Sequence, residues 1–138
     1  MKGVPWETRE LPDAYDVLAP DTSEIRVLGQ VRGGSMVHCT LPAGQVSVAV
    51  RHRTVEEIWY VVGGVGELWR RDGASGGEEI VDLRPGVSIS LPLGTEFQFR
   101  VVGDAPLEFL CVTLPPWPGP DEAVAIEGHW TPTADVTP

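Results

Sequence analysis

The sequence predicts an all-β barrel or sandwich, and three observations carry that prediction. The chain has 138 residues, the size of one ordinary domain. Its 16 glycines and 13 prolines fall mostly between short apolar runs, where they act as turns. About nine such runs follow one another at the spacing of sandwich or barrel strands, and no window reads as an amphipathic helix.

The elements follow in order. Residues 1–22 have no usable periodicity and read as an irregular arm, with Trp6 and Tyr15 as its anchors. Residues 23–116 form the barrel. Strands are expected over 25–31, 35–41, 46–51, 57–62, 67–71, 79–83, 87–91, 97–101 and 107–114. In the third of these, Val46, Val48 and Val50 alternate with Ser47, Ala49 and Arg51, and His52 continues the valine face. Val87, Ile89 and Leu91 alternate with Ser88 and Ser90, the pattern of a half-buried strand. Residues 117–138 are proline-rich. They are expected to stay out of regular sheet as an extended tail pinned by Trp117 and Trp130, loose after about residue 131.

Composition narrows the function. Lys and Arg total 10 and Asp and Glu total 20, a net charge of -10. Such a surface repels phosphate backbones and anionic lipid, so neither nucleic acid nor membrane is an expected partner. No apolar run follows the lysine of MKGVPWETRE, so no signal peptide is expected. No stretch approaches the ~18 apolar residues of a membrane-spanning helix. A cytoplasmic protein is the expectation. Cys39 and Cys111 lie in apolar runs without CxxC spacing and read as buried thiols.

Two turn patterns then carry a resemblance. Gly44, His52, Glu57 and Gly64 follow the spacing of the first motif of the cupins, and Gly86, Pro92 and Gly94 follow that of the second. Over roughly residues 35–114 the chain resembles this family, which implies a cupin-type double-stranded β-helix, or jelly-roll barrel. The family's metal-binding members typically use three histidines and a glutamate. By that resemblance Val50 stands at the first histidine position and Phe97 at that of the second motif, leaving only His52 and Glu57. A catalytic metal usually needs three protein ligands, so a divalent metal is disfavoured and no cofactor is implied. Cys39, Cys111, His38 and His129 are the further donors in the chain. Strand parity points Cys39 at the pocket and His38 away from it, and His129 sits in a tail able to fold over the mouth.

The pocket supports three readings. His52 and Glu57 are a structural hydrogen-bonded pair left from a lost metal site, a metal-free acid/base or anchoring pair, or two ligands of a metal completed elsewhere. The second is preferred, because imidazole and carboxyl in a dry site suit proton transfer on a carbonyl compound. By parity Val50, Trp59, Phe97 and Phe99 share the inner face with them, an apolar lining for a small organic ligand. The expected function is an isomerase, lyase or cyclase of specialised metabolism. The rivals are a non-catalytic binding or sensor domain, and a metal-dependent oxygenase with an unusual ligand set. Residues 57–62 are apolar on both faces, so Ile58, Tyr60 and Val62 need a cover. A homodimer is the expected one, with the arm as the alternative.

Overall fold

The computed structural model describes residues 6–133. Eleven strands form two antiparallel sheets: β1 (Val17–Leu18), β2 (Glu24–Val31), β3 (Gly34–Leu41), β4 (Val50–His52), β5 (Glu56–Gly63), β6 (Gly66–Asp72), β7 (Glu78–Leu83), β8 (Ser88–Leu91), β9 (Thr95–Val101), β10 (Leu107–Leu114) and β11 (Ala123–Ala125). The first sheet runs β1-β2-β3-β10-β5-β8 and the second β11-β4-β9-β6-β7. No helix among the described residues is long and apolar enough to cross a membrane.

The two inner faces meet in an aromatic layer. Trp59 on β5 stacks on Phe109 of β10, with centroids 3.9 Å apart, and meets Phe97 and Phe99 of β9 edge-on at 5.7 and 5.0 Å. Leu41, Val61, Leu68, Leu83 and Leu107 fill the barrel around these rings and are fully buried. Period-2 alternation is clean in β5, where Glu57, Trp59 and Val61 are buried while Ile58, Tyr60 and Val62 are exposed. The same parity holds in β8, where Ile89 and Leu91 are buried between exposed serines.

Three expectations need correction. Residues 46–51 do not form one strand. Only Val50–His52 joins the ladder, Val46 makes an isolated bridge to Arg100, and the Ser47 hydroxyl accepts from the Phe99 amide. Ser47 and Ala49 are buried along with Val48 and Val50, because the chain after β11 returns over that side: Ile126 N–H donates to the Ala49 carbonyl. The C-terminal tail does enter the sheet. Its prolines cluster before Asp121 and recur only at Pro132 and Pro138, so Ala123–Ala125 is free to pair with β4 as an edge strand. The tail is also held beyond residue 131, since Thr133 exchanges hydrogen bonds with Val46; the rest of that expectation, residues 134–138, lies outside the described residues. In the arm, Trp6 is 71% exposed and Tyr15 44%, so neither is an anchor; Arg9 instead binds Asp16 at 2.9 Å.

The arm's β1 pairs with β2, on the far side of the sheet from β5. Among the described residues it leaves Ile58, Tyr60 and Val62 uncovered.

Gly64 is the tightest turn between β5 and β6. Its φ is +73°, and an added Cβ would lie 2.1 Å from the Pro106 carbonyl oxygen. Gly64→Ala therefore combines backbone strain with a collision against fixed backbone. It should lower the unfolding free energy by at least about 2 kcal/mol in urea titration, and an unchanged midpoint would contradict this packing.

Candidate functional site

Between the aromatic layer and one mouth of the barrel lies a cavity of about 400 Å³, within the roughly 300–1,000 Å³ range of small-molecule sites. Its walls come from strands β1 to β5 and β10, the loop after β1 and the C-terminal segment. β5 supplies Glu57 and Trp59, β4 supplies Val50 and His52, and β3 and β10 supply Cys39, Phe109, Cys111 and Thr113. The loop after β1 supplies Asp21 and Ser23, and the C-terminal segment closes the opposite wall with Trp117, Pro120 and Ala123.

Glu57 reaches the cavity because the pleat of β5 turns every second side chain inward, and β10 and β8 pin the register at Thr113 and Leu91. Its carboxyl is 7% exposed. Oε1 accepts a hydrogen bond from the Trp59 indole N–H at 2.9 Å, while Oε2 lies 3.6 Å from His52 Nδ1. His52 is packed edge-on against Phe97 at 5.3 Å and Trp117 at 5.2 Å, which fixes its ring plane.

Burial dominates the charge state of both groups. It pushes the Glu57 carboxyl up to about 7, against the stabilising Trp59 hydrogen bond and with help from the nearby negative charge of Asp21. It pushes the His52 imidazole down to about 4, with Glu122 only partly offsetting it. The contact between them is therefore not an ion pair near neutrality. Between about pH 4 and about pH 7 the imidazole is neutral and the carboxyl carries the proton. A carboxyl whose pKa lies near neutrality is matched to donating and accepting a proton near pH 7.

Val50 and Trp59 line the cavity, but Phe97 and Phe99 do not. Parity placed all four on the inner face. Phe97 lies behind His52 and Trp59, and Phe99 is fully buried under Trp59. They support the cavity wall without forming its surface. Cys39 faces the cavity with Cys111, and burial raises both thiols. His38 is buried away from the cavity, 3.4 Å from Glu108. His129 is exposed and stacks on Trp69 at 6.2 Å, away from the mouth.

Three cavity-related residues were not foreseen. Asp21 and Trp117 come from segments without strand periodicity. Glu122 is buried and accepts hydrogen bonds from the Thr54 amide and hydroxyl. Burial raises that carboxyl, but these bonds together hold it below its ordinary range, so it stays charged and anchors the C-terminal wall beside His52. The one sequence signal for Asp21 is local: Asp followed two positions later by Ser is an Asx-turn pattern.

The residues do not fit a metal centre. Val50 and Phe97 offer no donor atoms, and no group of three or more His, Cys, Asp or Glu side chains among the described residues is arranged to hold an ion. Two ligands alone hold a transition ion weakly.

Comparison with known proteins places this barrel in a family. The sequence profile of the cupin domain matches residues 37–113, more than half of the chain, and the chain belongs to that family. It is 29% identical over 90 residues to the uncharacterized protein MJ1618 of Methanocaldococcus jannaschii, covering 65% of this chain and 67% of that one. The structure is similar to that of BH2720 from Bacillus halodurans, with a TM-score of 0.62 at 18% identity over 67% of this chain and 70% of that one. It is also similar to oxalate decarboxylase from Bacillus subtilis, with a TM-score of 0.65 at 14% identity over 75% of this chain but only 28% of that enzyme. At these identities the structural likeness concerns the fold.

Glu57 and His52 respond to pH in opposite senses. A carboxyl raised on folding adds stability that is complete below about pH 4.5 and is lost as pH rises through about 7. An imidazole lowered on folding adds stability that is complete above about pH 6.5 and is lost as pH falls through about 4. Glu57→Gln isolates the first effect. Between about pH 5 and about pH 8 it should gain on the wild type by up to about 3 kcal/mol of unfolding free energy. A constant offset over that interval would show that the folded carboxyl is already ionised at the lower pH.

Proposed function

We propose that this chain is a small-molecule-binding cupin that works without a metal. It moves a proton between Glu57 and a bound organic compound, as an isomerase, lyase or cyclase does. One observation carries the reading: a carboxyl raised to about 7 by burial faces a cavity of ligand size, beside an imidazole held neutral. Perturbed titratable groups in a cleft are the usual mark of proton-transfer chemistry. Trp59 keeps one carboxyl oxygen occupied, which leaves Oε2 as the oxygen that meets substrate. His52 stands 3.6 Å from that oxygen as a neutral polar neighbour. The apolar wall of Val50, Trp59, Phe109 and Trp117 excludes water from the exchange. Decarboxylation of a small dianion, the chemistry that the name oxalate decarboxylase describes, suits this cavity poorly. No lysine or arginine lines it.

The test is isotope exchange. Small apolar carbonyl compounds incubated with the protein in deuterated water should take up deuterium next to the carbonyl, read by NMR. Glu57→Gln should lower the rate at least about a hundredfold while the fold stays intact. Saturable binding without any exchange would replace the enzyme with a ligand-binding or sensor domain.

We also propose that the chain pairs with a second copy through the outer face of the first sheet. Ile58, Tyr60 and Val62 are 47, 49 and 44% exposed, and the register sets Val112 and Leu110 beside them, followed by Met36 on β3. A chain of net charge -10 repels its own copies everywhere except at such an uncharged face. A two-fold axis through this sheet would bury the patch against itself. Light scattering at micromolar concentration should give a dimer mass for the wild type and a monomer mass for Tyr60→Asp. A wild-type monomer would refute the pairing.

A further inference from the structure

We propose that Asp21 is the specificity-determining residue of the cavity, and that the site takes a small apolar molecule carrying an amino group, held as an ammonium against the Asp21 carboxylate. The proposal rests on the ligand-pocket reading above and names its substrate class.

The observations begin with how firmly Asp21 is held. The loop after β1 closes on itself: Ala19 N–H donates to the Ser23 carbonyl at 2.8 Å, and Thr22 N–H donates to the Ala19 carbonyl at 2.9 Å. Val48 N–H donates to the Asp21 carbonyl at 3.0 Å and ties the loop to the second sheet. Thr22 has φ +81°, an unfavourable backbone state for a β-branched residue, and its hydroxyl is buried without a partner. Backbone strain of this kind persists where the surroundings over-determine a placement. Here what it places is the Asp21 side chain, on the wall of the cavity.

The two carboxyl oxygens of Asp21 are not equivalent. Oδ1 accepts from the Ser23 amide at 3.0 Å and from the Ser23 hydroxyl at 2.6 Å. Oδ2 receives no hydrogen bond from any described residue. Glu57 Oε2 stands 3.6 Å from His52 Nδ1, and the Cys111 thiol also interacts with the Glu57 carboxyl. The two acids act on the same region: Asp21 raises the Glu57 carboxyl, and both raise the Cys39 thiol. The cavity thus carries one carboxyl oxygen, Asp21 Oδ2, that receives no hydrogen bond from a described residue, together with no lysine or arginine and a histidine that is neutral near pH 7.

A ligand supplies what is missing when it brings donors and positive charge. An ammonium offers three N–H groups and a counter-charge for the half-buried Asp21 carboxylate. Burial pushes Asp21 up in the free protein, so the amine also makes its ionised form the favoured one. Trp59, Phe109 and Trp117 line the cavity and cover the apolar body. A carboxylate ligand would meet two acids and no cation.

Three probes of one shape decide this: phenethylamine, 2-phenylethanol and 3-phenylpropionate, titrated into the intact protein at pH 7 and followed by tryptophan fluorescence and calorimetry. The amine should bind at least about tenfold more tightly than the carboxylate, with the alcohol between them. Asp21→Asn keeps an acceptor for Ser23 and removes the charge; it should cost the amine about tenfold or more and leave the carboxylate equal or improved. Equal or reversed preference in the wild type overturns the proposal by itself, even where Asp21→Asn does not fold. An unchanged ratio in a folded Asp21→Asn overturns it too. Those outcomes leave the ligand pocket standing. Binding of none of the three probes overturns this assignment together with the pocket reading.

Discussion

The packing of Trp59 decides which part of this barrel is core and which is cavity. One face of the indole stacks on Phe109, and its edges meet Phe97 and Phe99. Four large rings fill the middle of a small barrel completely, in the edge-to-face and offset arrangements that aromatic quadrupoles favour. Beyond them toward the mouth the inward-facing residues shrink to Val50, Cys39, Cys111 and Thr113, and the space stays open. The same indole spends its N–H on Glu57. The residue that closes the core therefore also orients the carboxyl at the floor of the cavity.

From that placement the electrostatics follow. A carboxyl beside an aromatic layer is dry, and dryness raises it; an imidazole wedged between Phe97 and Trp117 is equally dry, and dryness lowers it. A metal would normally stabilise the charged carboxylate and demand donors at positions that here hold Val50 and Phe97. Beside the hydrocarbon of Val50 and Phe97, His52 and Glu57 both favour their neutral forms between about pH 4 and about pH 7. The acidic surface elsewhere has no such effect, because exposed charges are screened.

Much of the fold was readable because its signals are local. Alternation in residues 57–62 and 87–91 reports which side of a strand is buried, and glycine–proline turns report where strands stop. The meeting of His52 and Glu57 at one cavity followed from strand parity and the motif spacing. Parity could not go further. It says that Phe97 and Phe99 point inward, but not how deep along the barrel axis they sit, which depends on rings contributed by β5 and β10. It also said nothing of segments that borrow their structure from others. Asp21 lies in a loop ordered by Ala19, Ser23 and Val48, and Ala123–Ala125 pairs only because β4 presents a free edge.

The sequence by itself determined the β architecture and the inward side of strands such as 57–62 and 87–91, since these are written in side-chain type and spacing along one stretch, and the family resemblance supplied the jelly-roll class. Only the tertiary structure decided the cavity. Its boundary is set where the N-terminal loop and the C-terminal segment come to rest against opposite walls, over contacts spanning as many as 82 positions between Ser35 and Trp117. Such contacts are chosen by complementary shape and unsatisfied hydrogen bonds, which exist only after the barrel has formed. That is why the third acid of the site, Asp21, came from a part of the chain with no pattern of its own.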